Sequence, residues 1–225
     1  MDQPDLDPAD HQQALDGLAR LNWLSNSSRI LWGPIHALSR RTGSASLTVL
    51  DIASGGGDVA IALSKRAAAA GVQLDIVGCD ISATAVQQAN QAARSASANV
   101  RFEQRDVFND RPSQRYDVVM CSLFVHHLDQ QQAIELLRIM SSLANRLLLV
   151  NDLRRSLRGY LLAQLACRLA SRSPIVHVDG PRSVEGAFTL AELTELCRQV
   201  PLDGAQLRGR WPCRLLLQWS RETAE

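Results

Sequence analysis

The stretch Val49-Leu-Asp-Ile-Ala-Ser-Gly-Gly-Gly-Asp-Val59 decides how the chain is read. A strand runs into it and ends at Asp51 or Ile52, and a helix leaves it near Asp58. Gly55, Gly56 and Gly57 occupy the turn between them. Glycine there permits positive φ and has no Cβ, so a ligand can approach the backbone closely. A strand–turn–helix unit of this kind puts its turn at the carboxyl end of the first strand, where open α/β sheets bind their ligands.

Downstream, short apolar runs recur at 47–52, 74–78, 100–104, 116–121 and 146–151, with helical patterns between most of them. Ser82 is a candidate N-cap ahead of Ala85, Val86, Ala89 and Ala93, and Asp129 with Gln132 resembles a capping box ahead of Ala133, Ile134, Leu137 and Met140. Val118-Val-Met120 and Leu147-Leu-Leu-Val150 are apolar on both faces, as strands covered by helices on both sides must be. Strand–helix–strand alternation with right-handed crossovers predicts a doubly wound, mostly parallel sheet. Two last strands, at about 205–211 and 214–220, are separated only by Pro212-Cys213 and so pair antiparallel. The expectation is an α/β fold: a seven-stranded sheet, helices on both faces, and a C-terminal antiparallel hairpin.

Upstream, residues 11–42 suggest two helices broken near Ser25-Asn-Ser-Ser28 and at Gly33-Pro34. Residues 1–46 are therefore expected to be a helical lid, and 47–225 the main domain. Within the latter, 153–188 is too long for an ordinary connection and is expected to cap a substrate pocket. It divides into a helix at 155–172, carrying Leu157, Leu161, Leu162, Leu165 and Leu169, and a Pro/Gly-rich loop from Ser173 to Phe188. That helix reads as a lid packed on the pocket with its arginines in solvent, the alternative being a membrane-surface helix. Thr189 and Glu192 make a second capping box, for a helix through about Gln199.

Composition narrows the chemistry. Of 225 residues, 46% are hydrophobic and 21% charged, which is globular composition. Lys+Arg 24 against Asp+Glu 23 leaves a net charge of +1, no electrostatic reason to expect nucleic acid or an anionic membrane. Aromatics at 4% leave few base-stacking platforms. Lys65 is the single lysine, which excludes a Gly-Lys-Ser/Thr phosphate loop. Cys79, Cys121, Cys167, Cys197 and Cys213 are odd in number and scattered, so free thiols in a reducing compartment are expected rather than disulfides or a metal site. The acidic start Met1-Asp-Gln-Pro-Asp-Leu-Asp7 is no signal peptide, and no apolar stretch reaches a bilayer span. The expected location is the cytoplasm, without integral membrane association.

Two ligand classes compete for the glycine turn. Gly55-x-Gly57-x-x-Ala60 fits a dinucleotide fingerprint. Charge argues otherwise: Asp51 ends the strand before the turn and Asp58 opens the helix after it, and both would repel a pyrophosphate. Asp58 has an alternative role as a helix cap, whereas Asp51 has no comparable local reason to be acidic. A ligand with positive centres and no phosphate suits them, and S-adenosylmethionine is one. Asp80 follows Gly57 by about the 20-residue interval at which a carboxylate meets ribose hydroxyls in nucleotide-binding sheets. Asp106 is the third acid at a successive strand end, although a lone aspartate there is also an ordinary turn residue.

Taken in order, Asp51-x-x-x-Gly55-x-Gly57, Asp80, Asp106, Tyr116-Asp-Val-Val-Met-Cys-Ser122 and His126-His-Leu128 resemble the class I S-adenosylmethionine-dependent methyltransferases. They are closest in style to the small-molecule enzymes of quinone biosynthesis and natural products, over roughly 47–151. Ser54-Gly55-Gly56 departs from the Gly-Thr-Gly-like turn of many relatives. The resemblance implies a Rossmann-like methyltransferase domain. It implies that Asp51, Ala53, Ser54, Gly55 and Gly57 line the methionine end of the cofactor, and that Asp80 and Ile81 hold the ribose and flank the adenine. Asp106 and Val107 would then meet the adenine, with Cys121 and Ser122 bordering the cofactor. The implied reaction is O- or C-methylation of a small, apolar or phenolic acceptor, with S-adenosylhomocysteine as product.

Methyl transfer to oxygen or nitrogen can need a general base and needs no metal. His126 and His127 follow the fourth strand, where either can be that base or shape the loop. His177 is a third candidate, oriented by Asp179, in a stretch that could equally be a loop held by local turns. An NAD(P)-linked oxidoreductase and a non-catalytic protein retaining the fold are the rival readings. Oligomeric state is left open, a homodimer included.

Overall fold

The computed structural model describes residues 27–170 and 174–221. The helix expected before Ser25 lies outside the described residues. Among the described residues, seven helices and seven strands follow one another: α1 Ser27–Thr42, β1 Ser46–Ile52, α2 Asp58–Ala69, β2 Gln73–Asp80, α3 Ala83–Ser95, β3 Val100–Gln104, β4 Tyr116–Ser122, α4 Gln130–Leu143, β5 Ala144–Leu153, α5 Leu157–Ala170, α6 Pro174–Gly186, α7 Leu190–Cys197, β6 Gln206–Arg210 and β7 Arg214–Ser220. A 3-10 turn, Val125–His127, stands between β4 and α4.

The strands form one sheet in the order β3-β2-β1-β4-β5-β7-β6. The first five are parallel, and β7 runs antiparallel between β5 and β6. The order reverses between β1 and β4, where Ile52 pairs with Cys121. A crevice opens outside the carboxyl ends of the strands at such a switch point. Because β7 is antiparallel, its first residue, Arg214, reaches that same edge beside Leu153.

Burial explains the apolar runs. Successive residues of a strand face opposite sides, so Leu50, Val119, Leu148 and Val150 pack under α4 and α7. Val49, Val118, Leu147 and Leu149 pack on the other face with α1, α2 and α3. Short-range caps form at three helix starts. Ser82 Oγ accepts from Ala85 N–H at 3.2 Å, and Asp129–Gln132 and Thr189–Glu192 form reciprocal boxes.

Three local expectations are corrected. Helix α1 continues through Gly33-Pro34 without ending there. Leu31, Ile35 and Leu38 on its inner side are buried, each contributing about 1.5–3 kcal/mol, which outweighs the roughly 3 kcal/mol cost of an internal proline. This described part of the expected lid is thus a layer of the core, packed on α2 and β5. The Pro/Gly stretch expected to be a loop is helix α6, with Pro181 inside it. Gly180 permits its close crossing with α5: a Cβ there would meet Cys167 Sγ at 2.2 Å, and Val184 anchors the helix in the interior. Finally, α5 does not turn its leucines inward. Leu157, Leu161, Leu162 and Leu165 are all exposed, while Gly159 and Cys167 form the buried side.

Candidate active site at the carboxyl edge of the sheet

The turn after β1 is built from backbone conformations that few residues adopt. Ala53, Gly55 and Gly57 have φ of 55°, 53° and 78°. Gly57 caps α2 and is irreplaceable on a second count, since a Cβ there would lie 2.4 Å from Phe102 Cζ. At Gly55 a Cβ would meet nothing within 4 Å, so the surface beside it is open. Ser54 N–H donates to Cys79 O at 3.0 Å, which fastens the turn to the end of β2.

Three carboxylates surround this turn. Asp51 is buried, and its Oδ1 has no hydrogen-bond partner among the described residues. Burial, then the charges of Asp58 and Asp80, push its carboxyl well above the usual range. Asp80 Oδ2 accepts from Gly55 N–H at 2.8 Å and its Oδ1 from Ser82 N–H at 2.9 Å. Asp80 therefore joins the glycine turn to the cap of α3. Asp58 is the first residue of α2, and Gly57 holds the cap position considered for it. An unpartnered buried carboxylate among like charges suits a cationic group and repels a phosphate.

The other candidates divide. Ile81 is 67% exposed beside Asp80 at the open edge. Asp106 is engaged in its own turn, Oδ1 accepting from Phe108 N–H at 3.0 Å and Oδ2 from Asn109 Nδ2 at 2.7 Å. Val107 and Cys121 are buried in the core, and burial, with Asp152 and Asp51 nearby, pushes the Cys121 thiol up. Ser122 Oγ accepts from Asn151 Nδ2 at 3.0 Å.

The histidines differ sharply from one another. His126 is buried, with Nδ1 2.6 Å from Asp152 Oδ1. Asp152 Oδ2 also accepts from the backbone N–H of Phe124 at 3.2 Å and of His126 at 3.3 Å. Burial alone would raise the Asp152 carboxyl; the charge of His126, its hydrogen bond, the Leu153 N–H and Arg214 together bring it below the usual range. The His127 ring stands 4.1 Å from that of His126. His177 lies on α6, which packs on the 3-10 turn, and the side chain of Asp179, its expected partner, lies outside the described residues. Asp152 carries no local signature of its role, because its partner is 26 positions away. The available signal was the polar pair Asn151-Asp152 closing an apolar run at a strand's carboxyl end. Arg214 is also buried there, its Nη1 without a hydrogen-bond partner among the described residues, and burial lowers its pKa to about 10.

Residues 49–146, the turn and both strand ends that flank the switch point, match the family described as Methyltransferase domain. Over this stretch the chain is similar to the class I S-adenosylmethionine-dependent methyltransferases. The demethylmenaquinone methyltransferase of Deinococcus radiodurans is 34% identical to the chain over 96 residues, which is 41% of this chain and 38% of that protein. The match thus spans well under half of the relative's length. Among solved structures, the plantazolicin methyltransferase with a triazolic desmethyl analogue and S-adenosylhomocysteine has a TM-score of 0.68 at 16% identity, covering 97% of this chain and 100% of that one. Magnesium protoporphyrin IX methyltransferase from Synechocystis PCC 6803, with bound S-adenosylhomocysteine, has 0.58 at 18% identity, covering 98% and 90%. At these identities the likeness is one of fold, and it extends beyond the methyltransferase domain to nearly the whole chain.

Proposed function

We propose that the protein transfers a methyl group from S-adenosylmethionine to oxygen or carbon of a small, apolar or phenolic acceptor. The observation that carries this reading is the buried Asp51 carboxylate, unpartnered at Oδ1, beside an open glycine turn flanked by Asp58 and Asp80. The cofactor, when bound, supplies a methyl group activated by a sulfonium centre. Asp51, with Ala53, Ser54, Gly55 and Gly57, would hold its methionine end. Asp80 would take the ribose while keeping Gly55 N–H, and Ile81 would flank the adenine. Val107 and Asp106 would close the adenine side, Asp106 through capacity left after its own turn. Cys121 and Ser122 would border the cofactor, Cys121 through its backbone because its side chain is in the core.

His126 is the favoured base among the three candidates, since Asp152 holds its Nδ1 and leaves Nε2 as the atom that takes a proton. His127 and His177 remain rival candidates. Relatives named for demethylmenaquinone, plantazolicin and magnesium protoporphyrin IX support an acceptor of modest size. Residues 153–188 would cap it within the 47–225 domain. The same reading puts the protein in the cytoplasm and leaves a homodimer open. Among the described residues no helix is long and apolar enough to cross a membrane.

Calorimetric titration with S-adenosylhomocysteine, and with NAD⁺ in parallel, tests the reading. Binding of the first alone is expected. Asp80→Ala should weaken it by about 1–3 kcal/mol, the cost of a lost charged hydrogen-bond partner. Binding of NAD⁺ alone would return the site to the dinucleotide fingerprint, and binding of S-adenosylhomocysteine without turnover on any acceptor would favour a non-catalytic protein.

A further inference from the structure

The outward side of α5 has no ordinary place on a water-facing surface. Leu157 is 76% exposed, and Leu161 and Leu165, one and two turns on, are more than half exposed. Leu162 lies beside them at 41%. The start of α5 touches the β6–β7 turn: Arg154 N–H donates to Cys213 O at 3.0 Å, and a Cβ on Gly159 would lie 3.2 Å from Cys213 Cβ. That turn carries Trp211, 81% exposed. The outer side of α5 therefore presents four leucines to solvent, and the neighbouring turn presents Trp211, which borders Ile30 and Pro34 of α1; exposed apolar side chains grouped in this way mark an interaction surface.

Charge on this edge is mostly positive. No Asp or Glu occurs from Leu153 to Val178, or from Gly204 to Arg221. Arg155 is paired with Glu192, but Arg158, Arg168, Arg208 and Arg210 are exposed and form no ion pair among the described residues. The neutral total of the chain conceals this local excess. A second copy is a poor occupant, because a two-fold interface would set the arginines against themselves. A nucleic acid would satisfy the arginines and leave the leucines wet.

We propose that this face, formed by α5 and the β6–β7 turn, docks on the surface of an anionic lipid bilayer. The leucines and Trp211 enter the acyl boundary, and the arginines extend to the headgroups, as amphipathic side chains do at such a boundary. The face borders the carboxyl edge of the sheet, so an apolar acceptor could pass to the site without crossing water. The proposal stands apart from the methyl-transfer reading, since it is measured without cofactor or acceptor.

The test is co-sedimentation of the full chain with phosphatidylcholine vesicles, with and without about 30% phosphatidylglycerol. The expected result is binding that requires the anionic lipid, weakens with salt, and falls about tenfold for Leu161→Glu and for Leu165→Glu. Both variants lie on the surface, and an unchanged melting temperature confirms their fold. Arg158→Gln with Arg168→Gln should lower the salt sensitivity. Absence of vesicle binding, or binding indifferent to both leucine variants, overturns the proposal. So does dimerisation, or capture of a single-stranded RNA probe, by a chain that ignores vesicles.

Discussion

His126 and Asp152 form a two-point contact: Nδ1 lies 2.6 Å from Oδ1, and the His126 backbone N–H donates to Oδ2 at 3.3 Å. The carboxylate thus fixes both the ring and the turn that carries it. Its charged form is favoured in the fold, below the ordinary value of 3.8. That contribution is complete above pH 3.8 and is lost as pH falls through the folded value. Asp152→Asn should cost about 1–3 kcal/mol at neutral pH, and the difference from wild type should shrink in acid. Urea denaturation at pH 7 and pH 3 measures both. If His126 is the base, the same variant should also lower kcat with little change in cofactor affinity.

Asp51 has the opposite sign. Burial, Asp58 and Asp80 raise its folded pKa, so it opposes the fold increasingly as pH climbs from 3.8 toward that value. Asp51→Asn should therefore stabilise the ligand-free protein, by about 2–4 °C in Tm if ~1 kcal/mol is recovered. A cationic ligand group favours the ionised form, so binding should release a proton and strengthen as pH rises. Calorimetry of S-adenosylhomocysteine binding in buffers of different ionisation enthalpy should show the release in wild type and none in Asp51→Asn. A variant that is stabler and binds as well as wild type would remove Asp51 from the site.

Two glycines of the turn should respond unequally. Gly55→Ala places a Cβ in open space and meets only the left-handed conformation, a cost of about 1–2 kcal/mol. Gly57→Ala adds a collision with Phe102, which brings the total to about 2–5 kcal/mol. Phe102→Ala in the Gly57→Ala background should recover part of the difference, a coupling that a double-mutant cycle reads directly.

What the sequence reveals here depends on the range of each interaction. Ser82, Asp129–Gln132 and Thr189–Glu192 cap helices through partners three residues away, so local reading finds them. Asp51 and Asp80 close the neighbouring parallel strands β1 and β2, with Gly55 in the turn after β1, and parallel strands put such ends on one edge whatever the details of packing. Helices through Gly33-Pro34 and Gly180-Pro181 are invisible locally, because burial of Leu31, Ile35 and Val184 overrides the breaker residues. The outward leucines of α5 are hidden for a related reason: periodicity identifies an apolar face without saying which way it points. Asp152 needed a partner on a different strand–turn unit to acquire meaning.

Arg221 is a further long-range case, and it can be tested. Helix α4 has no basic residue in its own last turn. Arg221, just beyond β7, supplies the donors instead: Nη2 to Ser141 O at 2.6 Å and Nε to Ala144 O at 3.1 Å. Its guanidinium also lies 5.1 Å from the Trp219 ring centroid. Cations at helix C-termini satisfy carbonyls that have no partner within the helix and complement its dipole. Arg221→Leu keeps the apolar stem and removes both donors, so about 1–3 kcal/mol should be lost. Arg221→Lys should restore only part of it, because one ammonium cannot span the two carbonyls as the planar fork does. Equal stability of all three chains in denaturant would show that water replaces the guanidinium without cost.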